Sequence, residues 1–407
     1  MQQTDYDVII VGSGTVGATL ACALLRGGMN VALIEITPAT PINTETPDLR
    51  VFALTRASER IFINLGLWDA IVQRRASPFR QMYVWDTDSP SYIHFDSASL
   101  VEPLLGYIVE QSILQTALLE QLTQFDTLTW YRPAKVQQFD LPTHSSREKA
   151  TVHLDNGAVL TTRLLVSAEG AHSAIRTLAG IPYTLHDYGQ QAIVTNIITE
   201  QSHQETAWQR FLPTGPLAFL PLLDPQHCSI VWSADTPLAQ RLMALEKAEF
   251  LQALTTAFAT KLGTVLDCEQ RLTFPLKRRY IHQYVQPRLA LVGDAAHTVH
   301  PLAGQGVNLG LLDVAALSEI ILNAYVNRQD FGQYQTLRRY ERWRKGHNLA
   351  MVLLMDGFKQ LFSTDFLPLL WARTIGLNLT NDNVFLKNIM MRRAMGLSGD
   401  LPKLATV

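Results

Sequence analysis

Residues 7–35 read DVIIVGSGTVGATLACALLRGGMNVALIE, and this stretch decides the fold. Residues 7–11 are a continuous apolar run rich in β-branched side chains, which is typical of a parallel strand buried on both faces. A glycine-rich turn follows at once, and residues 18–25 are predicted to form an apolar helix. Residues 30–34 are the second strand, with Glu35 at its end. The order predicts a strand–turn–helix–strand unit of a Rossmann-like α/β fold.

The glycine turn has the spacing of a dinucleotide-binding loop. Gly12, Gly14 and Gly17 follow the pattern G-x-G-x-x-G, and such a turn lets a pyrophosphate approach the N-terminus of the next helix. Glu35 lies 18 residues after Gly17 (35 minus 17), where a carboxylate binds a ribose hydroxyl. A glutamate favours an unphosphorylated ribose, as in FAD or NAD. An ordinary structural turn is the alternative, but strand, helix and acid are all present in the required order.

A second stretch predicts the other end of the ligand site. Residues 289–312 read LALVGDAAHTVHPLAGQGVNLGLL, so an apolar strand ends at Gly293-Asp294 and a glycine-rich loop opens into an apolar helix. The carboxylate can accept hydrogen bonds from hydroxyls, and the helix N-terminus favours negative charge on a ligand. No second strand–GxGxxG–helix unit follows. We therefore expect one permanently held dinucleotide, and any second nucleotide binds without a fold of its own.

The composition bounds the class of protein. The chain has 407 residues, of which 47% are hydrophobic, and a net charge of -2. This length predicts two or three structural units, and the charge gives no general attraction to nucleic acid. Three distant cysteines match no metal spacing and are expected to be buried and free in a reducing, cytoplasmic compartment. No uninterrupted run of about 18 apolar residues appears, so no membrane-spanning helix is expected.

The middle of the chain changes pattern. Short alternating segments between residues 192 and 276 predict a mostly antiparallel sheet, with one helix near residues 244–262 and a hairpin at 78–100. Residues 107–118 are predicted to form a helix. The expected organisation is a discontinuous dinucleotide-binding domain (1–75, 100–182 and 277–345), an inserted substrate domain (76–99 and 183–276) and a C-terminal helical region (346–407).

Three separated pieces, residues 12–35, 169–170 and 293–310, together resemble the single-component FAD-dependent aromatic hydroxylases of the para-hydroxybenzoate hydroxylase type. The segments RVFAL (50–54), VWD (84–86), LAFLPL (217–222), CSIVW (228–232) and RRAMGL (392–397) are similar to the ubiquinone-biosynthesis branch of that family, and most similar to its 2-polyprenylphenol hydroxylases. The resemblance covers most of residues 5–345.

The resemblance implies FAD as the cofactor and assigns residues to it. Gly12, Gly14 and Gly17 would bind the pyrophosphate, Glu35 the ribose, and the backbone from residue 304 to 308 the flavin ring. The full set of cofactor residues that it implies is Gly12, Ser13, Gly14, Val16, Gly17, Glu35, Arg50, Gln111, Val136, Gly293, Asp294, Pro301, Gly304, Gln305, Gly306, Val307 and Asn308. It names no acid–base catalytic residue. One departure stands out, because Glu169-Gly170 replaces the Asp-Gly of the family, which bears on NAD(P)H binding.

The reaction that the resemblance implies is hydroxylation of a polyprenylated phenol. NAD(P)H would reduce the flavin, and O2 would form a C4a-hydroperoxyflavin that transfers oxygen to the ring. Two alternatives stay open at this point: a flavin reductase or dehydrogenase acting on a prenyl lipid, and a non-catalytic flavin-binding scaffold of a biosynthetic complex. Mass spectrometry distinguishes a hydroxylase from a reductase, because the first gives a hydroxylated product and the second a saturated tail. NADH oxidation that a phenol stimulates would exclude the non-catalytic scaffold.

Three further features have competing interpretations. His297 and His300 could suggest a metal ligand pair on a helix, but no other ligand accompanies them and no metal is expected. The basic cluster at residues 338–345 is interpreted as a solvated helix face, with an anionic membrane or acidic partner as the alternative. The apolar residues 349–386 predict either a core helix or a contact surface for the membrane or a partner protein. A peripheral location at the inner face of the membrane and a homo-oligomer are expected.

Overall fold

The computed structural model describes residues 4–87, 92–142, 148–298, 305–362 and 383–406. The strands in these ranges are β1 (Thr4–Val11), β2 (Val31–Ile34), β3 (Val51–Thr55), β4 (Ser77–Phe79), β5 (Gln81–Asp86), β6 (Tyr92–Asp96), β7 (Gly106–Glu110), β8 (Leu128–Tyr131), β9 (Val136–Asp140), β10 (Ala150–Leu154), β11 (Val159–Ser167), β12 (Tyr183–Thr199), β13 (Thr206–Leu212), β14 (Gly215–Pro221), β15 (His227–Asp235), β16 (Val265–Cys268), β17 (Leu272–Ile281), β18 (Val285–Gln286), β19 (Leu289–Leu291) and β20 (His297–Thr298). The helices are α1 (Thr15–Arg26), α2 (Arg56–Asn64), α3 (Trp68–Arg74), α4 (Gln111–Leu122), α5 (Ala174–Leu178), α6 (Thr236–Ala244), α7 (Lys247–Ala257), α8 (Gln305–Val326), α9 (Tyr334–Phe362) and α10 (Val384–Ala394).

The first sheet is built around β1. Its strand order is β18-β19-β11-β1-β2-β8, and β1, β2, β8, β11 and β19 run parallel, while β9 and β10 extend the sheet from β11. Every residue of β2 is buried, and Val8, Ile9 and Ile10 of β1 are completely so. Helix α1 packs on α4 and α8 against this sheet. The Rossmann-like α/β fold predicted from residues 7–35 is therefore confirmed.

The second sheet is mostly antiparallel and has two different faces. Its order is β20-β17-β12-β15-β14-β13-β5-β6, with β16 beside β12, and only the pairing of β5 with β13 is parallel among these named strands. Side chains alternate along β14, so that Leu217 and Phe219 are buried against Phe250 and Leu254 of α7. The alternate side chains face the first sheet. The sheet also continues past residue 276, since β17 reaches Ile281 and β20 joins its edge.

Two local predictions need correction. Residues 107–110 belong to strand β7, which pairs with β3 and β4 in a small sheet, and helix α4 begins only at Gln111. The apolar, β-branched residues Ile108 and Val109 fit a sheet, and tertiary pairing with β3 decides between the two structures. Two helices, α6 and α7, are found where one was predicted near 244–262: α7 lies within that range and confirms the prediction, whereas α6, which ends at Ala244, was missed. A capping box formed by Glu246 and Glu249 starts the second of them.

The C-terminal half contributes long helices. Among the described residues, α8 is the one helix that is long and apolar enough to cross a membrane, but 61% of its most apolar window is buried inside the fold. It packs on α1, α2 and α9, as the core helix of a globular protein does. Much of the apolar region predicted at 349–386 falls on residues 363–382, which lie outside the described residues.

Candidate active site

One large cavity lies between the two sheets. Its volume is about 1950 Å³, and it reaches from the carboxyl ends of β1 and β2 to the inner face of the antiparallel sheet. Ligand pockets commonly enclose about 300–1,000 Å³, so this cavity has room for a large cofactor and a second molecule. Eleven of the predicted cofactor residues line it, namely Gly12, Gly14, Val16, Glu35, Arg50, Gln111, Val136, Asp294, Gln305, Gly306 and Val307. Pro301 and Gly304 lie outside the described residues.

The first glycine turn combines close packing with an open edge. A Cβ on Gly12, whose φ is +100°, would lie 2.6 Å from the carbonyl oxygen of Ala168. A Cβ on Gly17 would lie 1.9 Å from the carbonyl oxygen of Gly12, so Gly17 closes the turn rather than lining the cavity. A Cβ on Gly14 would meet nothing within 4 Å. Gly14 is also the N-cap of α1 and has no side-chain cap, so the N-terminus of α1 faces the cavity with free N–H groups.

Glu35 is held ready at the end of β2. Its Oε2 accepts hydrogen bonds from the backbone N–H and the hydroxyl of Ser13 at 2.9 and 2.8 Å, and its Oε1 accepts from the N–H of Thr37 at 2.9 Å. Burial alone would raise the pKa of Glu35, but these hydrogen bonds lower it below its usual value. The carboxylate is therefore charged at neutral pH, and its remaining lone pairs can accept from a ligand hydroxyl.

The second glycine turn touches the first through one side chain. A Cβ on Gly310 would lie 2.8 Å from Cγ2 of Val16, and a Cβ on Gly293 would lie 3.2 Å from the same side chain. The two turns are thus packed together and open into the same cavity. Asp294 lines that cavity, and burial raises the pKa of its carboxyl group above the usual value. Hydrogen bonds from the hydroxyl groups of a ligand would bring that pKa back down.

A buried polar network stands behind the second turn. Asp313 of α8 accepts from the backbone N–H of Gly293 at 3.2 Å and lies 2.5 Å from Nε2 of His297. Its other oxygen accepts from Nε of Arg344 at 2.9 Å and from the amide of Asn348 at 3.2 Å. Burial would raise the pKa of Asp313, but the nearby His297 and Arg344 lower it. The network fixes the position of the Gly293–Asp294 turn.

Gln111 leaves an unsatisfied group at the cavity wall. Its backbone N–H donates to the carbonyl of Arg50 at 2.9 Å, which brings the start of α4 beside the start of β3. Its side-chain Oε1 is buried without a hydrogen-bond partner among the described residues. Buried polar atoms are normally paired, so this oxygen indicates a donor on a bound molecule.

Comparison with known proteins identifies the cofactor. A family model described as "FAD binding domain" matches residues 5–353. The chain is 37% identical to the 3-demethoxyubiquinol 3-hydroxylase of Escherichia coli strain K12, over 98% of this chain and 100% of that protein. It is 34% identical to the human mitochondrial ubiquinone biosynthesis monooxygenase COQ6, over 93% and 90% of the two chains.

The chain belongs to the FAD-dependent hydroxylase family. Solved structures agree on the fold: p-nitrophenol 4-monooxygenase PnpA from Pseudomonas putida DLL-E4 superposes with a TM-score of 0.79 at 18% identity, over 97% of this chain and 99% of that chain. An R204Q variant of Klebsiella pneumoniae HpxO in complex with FAD gives 0.73 at 20% identity, over 96% and 98%. The protein is an FAD-dependent monooxygenase, as the sequence predicted.

The cavity fits FAD. The free N–H groups at α1 suit a pyrophosphate, Glu35 suits a ribose, and the unsatisfied oxygen belongs to Gln111, which lines the cavity. Bound there, FAD supplies the redox chemistry that amino-acid side chains lack. Individual contacts with the cofactor stay predictions, and we expect them to be made mainly by backbone N–H groups of the two turns.

Four predicted residues support the site from outside the cavity lining. Gly17 and Gly293 pack the turns together, and Ser13 holds Glu35. The side chain of Asn308 accepts from the N–H of Thr55 at 3.0 Å and from the hydroxyl of Ser58 at 2.7 Å. Its amide donates to the carbonyl of Ala53 at 2.8 Å. The side chain of Asn308 therefore joins α8 to β3 and α2.

Glu169 has a structural explanation. Its Oε2 accepts from the hydroxyls of Ser167 and Ser173 at 3.0 and 2.8 Å and from the N–H of Ile175 at 3.0 Å. The carboxylate thus lies at the start of α5, where a negative charge is favourable. The extra methylene of glutamate is used to reach these donors, while the residue still lines the cavity.

The interpretations of Arg344 as a solvated residue and of His297 as part of a helix were wrong. Because of them, the network around Asp313 was not predicted. Arg344 is not part of a solvated face, because it is only 1% exposed and is paired with Asp313. His297 lies in strand β20 rather than on a helix, and its neighbour is Asp313. Within the described residues there is no cluster of three or more His, Cys, Asp or Glu that could hold a metal ion. The one sequence signal of the network is Asp313 itself, an acid inside an apolar helix.

Proposed function

We propose that this monooxygenase hydroxylates the ring of a polyprenylated phenol or quinol in ubiquinone biosynthesis, with NAD(P)H as electron donor and O2 as oxygen source. The names of its relatives support the pathway, since the bacterial one is a 3-demethoxyubiquinol hydroxylase and the human one a ubiquinone biosynthesis monooxygenase. A further relative, 36% identical over 96% of this chain and 89% of its own length, is the ubiquinone hydroxylase UbiL of Rhodospirillum rubrum.

The observation that carries the proposal is the continuity of the cavity. The same cavity that begins at Gly14 also runs to an apolar end beneath α10. The apolar end is formed by a separate hydrophobic cluster, whose members include Phe79, Met82, Phe95, Leu105, Met391 and Met395. A prenyl unit has five carbons, and each buried CH2-sized group contributes about 0.8 kcal/mol, so such an end favours a prenyl tail strongly over water.

The start of α8 supports chemistry at the cofactor end. Gln305, Gly306 and Val307 line the cavity at the N-terminus of this helix. The partial positive charge of a helix N-terminus stabilises negative charge that develops on a bound ring system. The surrounding apolar lining excludes water, which strengthens that interaction.

The outer face of α10 supports a peripheral membrane contact. Phe385 is 77% exposed and Ile389 is 47% exposed, and the basic residues Arg392 and Arg393 are exposed on the same helix. Ile389 and Arg393 also line the cavity, so the exposed side of α10 adjoins it. Met391 on the inner side is buried at the apolar end of the cavity. A helix with apolar and basic exposed side chains suits an anionic lipid surface. We propose that α10 lies on the inner face of the membrane, so that a prenyl substrate enters the cavity directly from lipid.

The test is an assay of the purified protein. The FAD-loaded enzyme is mixed with NADH or NADPH, O2 and short-tailed polyprenylphenols or demethoxyquinols, and the products are analysed by mass spectrometry and NMR. A ring that gains one oxygen atom supports the proposal, and NMR identifies the ring position. A saturated tail with an unchanged ring would indicate a reductase instead, and NAD(P)H consumption that no phenol stimulates would contradict hydroxylation. Sedimentation of the same sample tests the expected homo-oligomer.

A further inference from the structure

The inner face of the antiparallel sheet is the wall of the cavity opposite the glycine turns. We call it the substrate wall, and define it by the cavity-lining residues Ala207, Gln209, Phe211, Ala218, Leu220, Ser229, Val231 and Ser233 of β13, β14 and β15. These positions alternate with the buried residues that pack on α6 and α7. The centre of the wall is formed by Ala218 and Val231, which are small enough to leave space above the sheet.

Three polar side chains belong to this wall, Gln209, Ser229 and Ser233, and none of them makes a side-chain hydrogen bond to the described part of the chain. Of the two serines, Ser229 is the one whose hydroxyl oxygen is completely buried. Ser229 is only 1% exposed, and its Oγ makes no hydrogen bond within the described part of the chain. Gln209 is 7% exposed, and none of the hydrogen bonds found among the described residues involves its side-chain amide. Buried polar groups are normally paired, so the exceptions on a cavity wall indicate a ligand.

The strand register fixes the separation of the two groups. Gln209 pairs with Ala218, Ala218 pairs with Val231, and Ser229 is two residues before Val231 on the same strand. Two strand spacings of about 4.8 Å and one two-residue step of about 6.8 Å place the two Cα atoms on the order of 12 Å apart. One aromatic ring fits between them with a hydrogen bond of about 2.8 Å at each edge.

We propose that Gln209 and Ser229 bind oxygen substituents at two edges of the substrate ring and hold it flat over Ala218 and Val231, so that one ring position faces the cofactor. The amide of Gln209 can donate and accept, as can the hydroxyl of Ser229, so both suit a phenol or quinol. These are positioning and specificity-determining residues. The inference rests on the proposed function and deepens it, since it states how the ring is oriented.

The experiment compares Gln209→Leu and Ser229→Ala with the wild type. Each variant is expected to lower kcat/KM for a short-tailed polyprenylphenol about five- to tenfold, the usual consequence of losing one hydrogen bond to a bound ligand. Because the ring loses its fixed orientation, a larger share of the consumed NAD(P)H should yield hydrogen peroxide instead of hydroxylated product. Ser229→Thr keeps the hydroxyl and should recover most of the coupling.

Two controls separate a binding role from a structural one. Gln191→Leu makes the same change on β12 at a position that does not line the cavity, where the side chain accepts from Thr273. It should leave coupling and KM unchanged. In addition, a substrate analogue that lacks one ring hydroxyl should be handled equally by the wild type and by the variant that lost the matching partner. FAD content and the flavin absorption spectrum confirm that each variant is folded.

The outcomes distinguish this inference from the proposed function. If the wild type hydroxylates the phenol and Gln209→Leu and Ser229→Ala match Gln191→Leu in KM and in peroxide release, the ring-binding role is overturned and the function stands. If the wild type hydroxylates no polyprenylated phenol or quinol, both are overturned. Loss of coupling in the two variants, with recovery in Ser229→Thr, supports both.

Discussion

The two walls of the cavity recognise their ligands in different ways. The cofactor wall, defined as residues 12–35, 293–298 and 305–308, presents backbone. Gly12, Gly17 and Gly293 are held by close contacts with Ala168, with Gly12 and with Val16, respectively. Its carboxylate at Glu35 is already bonded to Ser13 and Thr37. The substrate wall presents side chains, and the hydroxyl of Ser229 in it is buried without a hydrogen-bond partner among the described residues. A backbone site is rigid and selects one cofactor, whereas a side-chain site changes its specificity by substitution.

The largest effect is expected from the network that supports the cofactor wall. Asp313→Asn leaves the buried Arg344 without its charge partner, which should lower the free energy of unfolding by about 3 kcal/mol or more. Urea unfolding of the apoprotein measures this. Asp267→Asn removes the carboxylate of an exposed ion pair with Lys247 and is the matched control, for which nearly unchanged stability is expected.

The same variant gives a pH test. Burial would raise the pKa of Asp313, but His297 and Arg344 keep it below its ordinary value. A lowered folded-state pKa means that the stabilisation is present above the ordinary aspartate value of about 3.9 and is lost as the pH falls below it. The stability difference between wild type and Asp313→Asn should therefore shrink in strong acid. A difference that is constant down to pH about 3 would contradict this account.

The next effect separates rigid packing from ligand approach within the cofactor wall. Gly17→Ala places a Cβ 1.9 Å from the carbonyl oxygen of Gly12, so the turn must open, at a cost of about 1–3 kcal/mol and with loss of FAD on gel filtration. Gly14→Ala meets no protein atom, so the chain should keep its stability and lose FAD affinity only. If both variants lost stability equally, the distinction between Gly17 as a packed position and Gly14 as an open position would be contradicted.

Glu35→Gln should have a smaller effect on the same wall. The variant keeps its shape but loses the charge that strengthens hydrogen bonds to ribose hydroxyls, so FAD should bind about tenfold more weakly. Flavin fluorescence during titration of the apoprotein measures the dissociation constant. Since the hydrogen bonds from Ser13 and Thr37 hold the pKa of Glu35 below its usual value, wild-type affinity should persist to mildly acid pH. Affinity that already declines near pH 6 would exclude this role.

The smallest effect concerns the basic charge on α10, at the apolar end of the cavity. Replacing Arg392 by glutamine should weaken binding to vesicles of anionic lipid by about 1 kcal/mol, and high salt should weaken the binding of the wild type similarly. Co-sedimentation with vesicles measures binding, and neutral vesicles are the control. The FAD content should not change, because α10 contributes to the apolar end of the cavity and not to the glycine turns that are predicted to bind the cofactor. If the variant bound anionic vesicles as well as the wild type does, the proposed membrane contact at α10 would be contradicted.

Much of the cofactor wall could be predicted from the sequence because its signals are local. The spacing of Gly12, Gly14 and Gly17 and the acid at the end of the next strand occur within one unit of the chain, where backbone geometry ties them together. The helix predicted at residues 107–118 was wrong in its first part because Ile108 and Val109 suit either structure, and pairing with β3 decided for a strand. The buried role of Arg344 was missed because a basic run carries no mark of which member is paired.

The sequence by itself determined a dinucleotide turn, a second glycine turn and an inserted sheet, since periodicity and spacing are properties of neighbouring residues. Only the tertiary structure decided which partners meet across the chain. Asn308 holds the backbone of Thr55, and Arg344 neutralises Asp313, through contacts between residues that are 253 and 31 positions apart. The lack of a hydrogen-bond partner for Ser229 among the described residues is likewise a result of the tertiary structure, because it depends on every residue packed around that side chain.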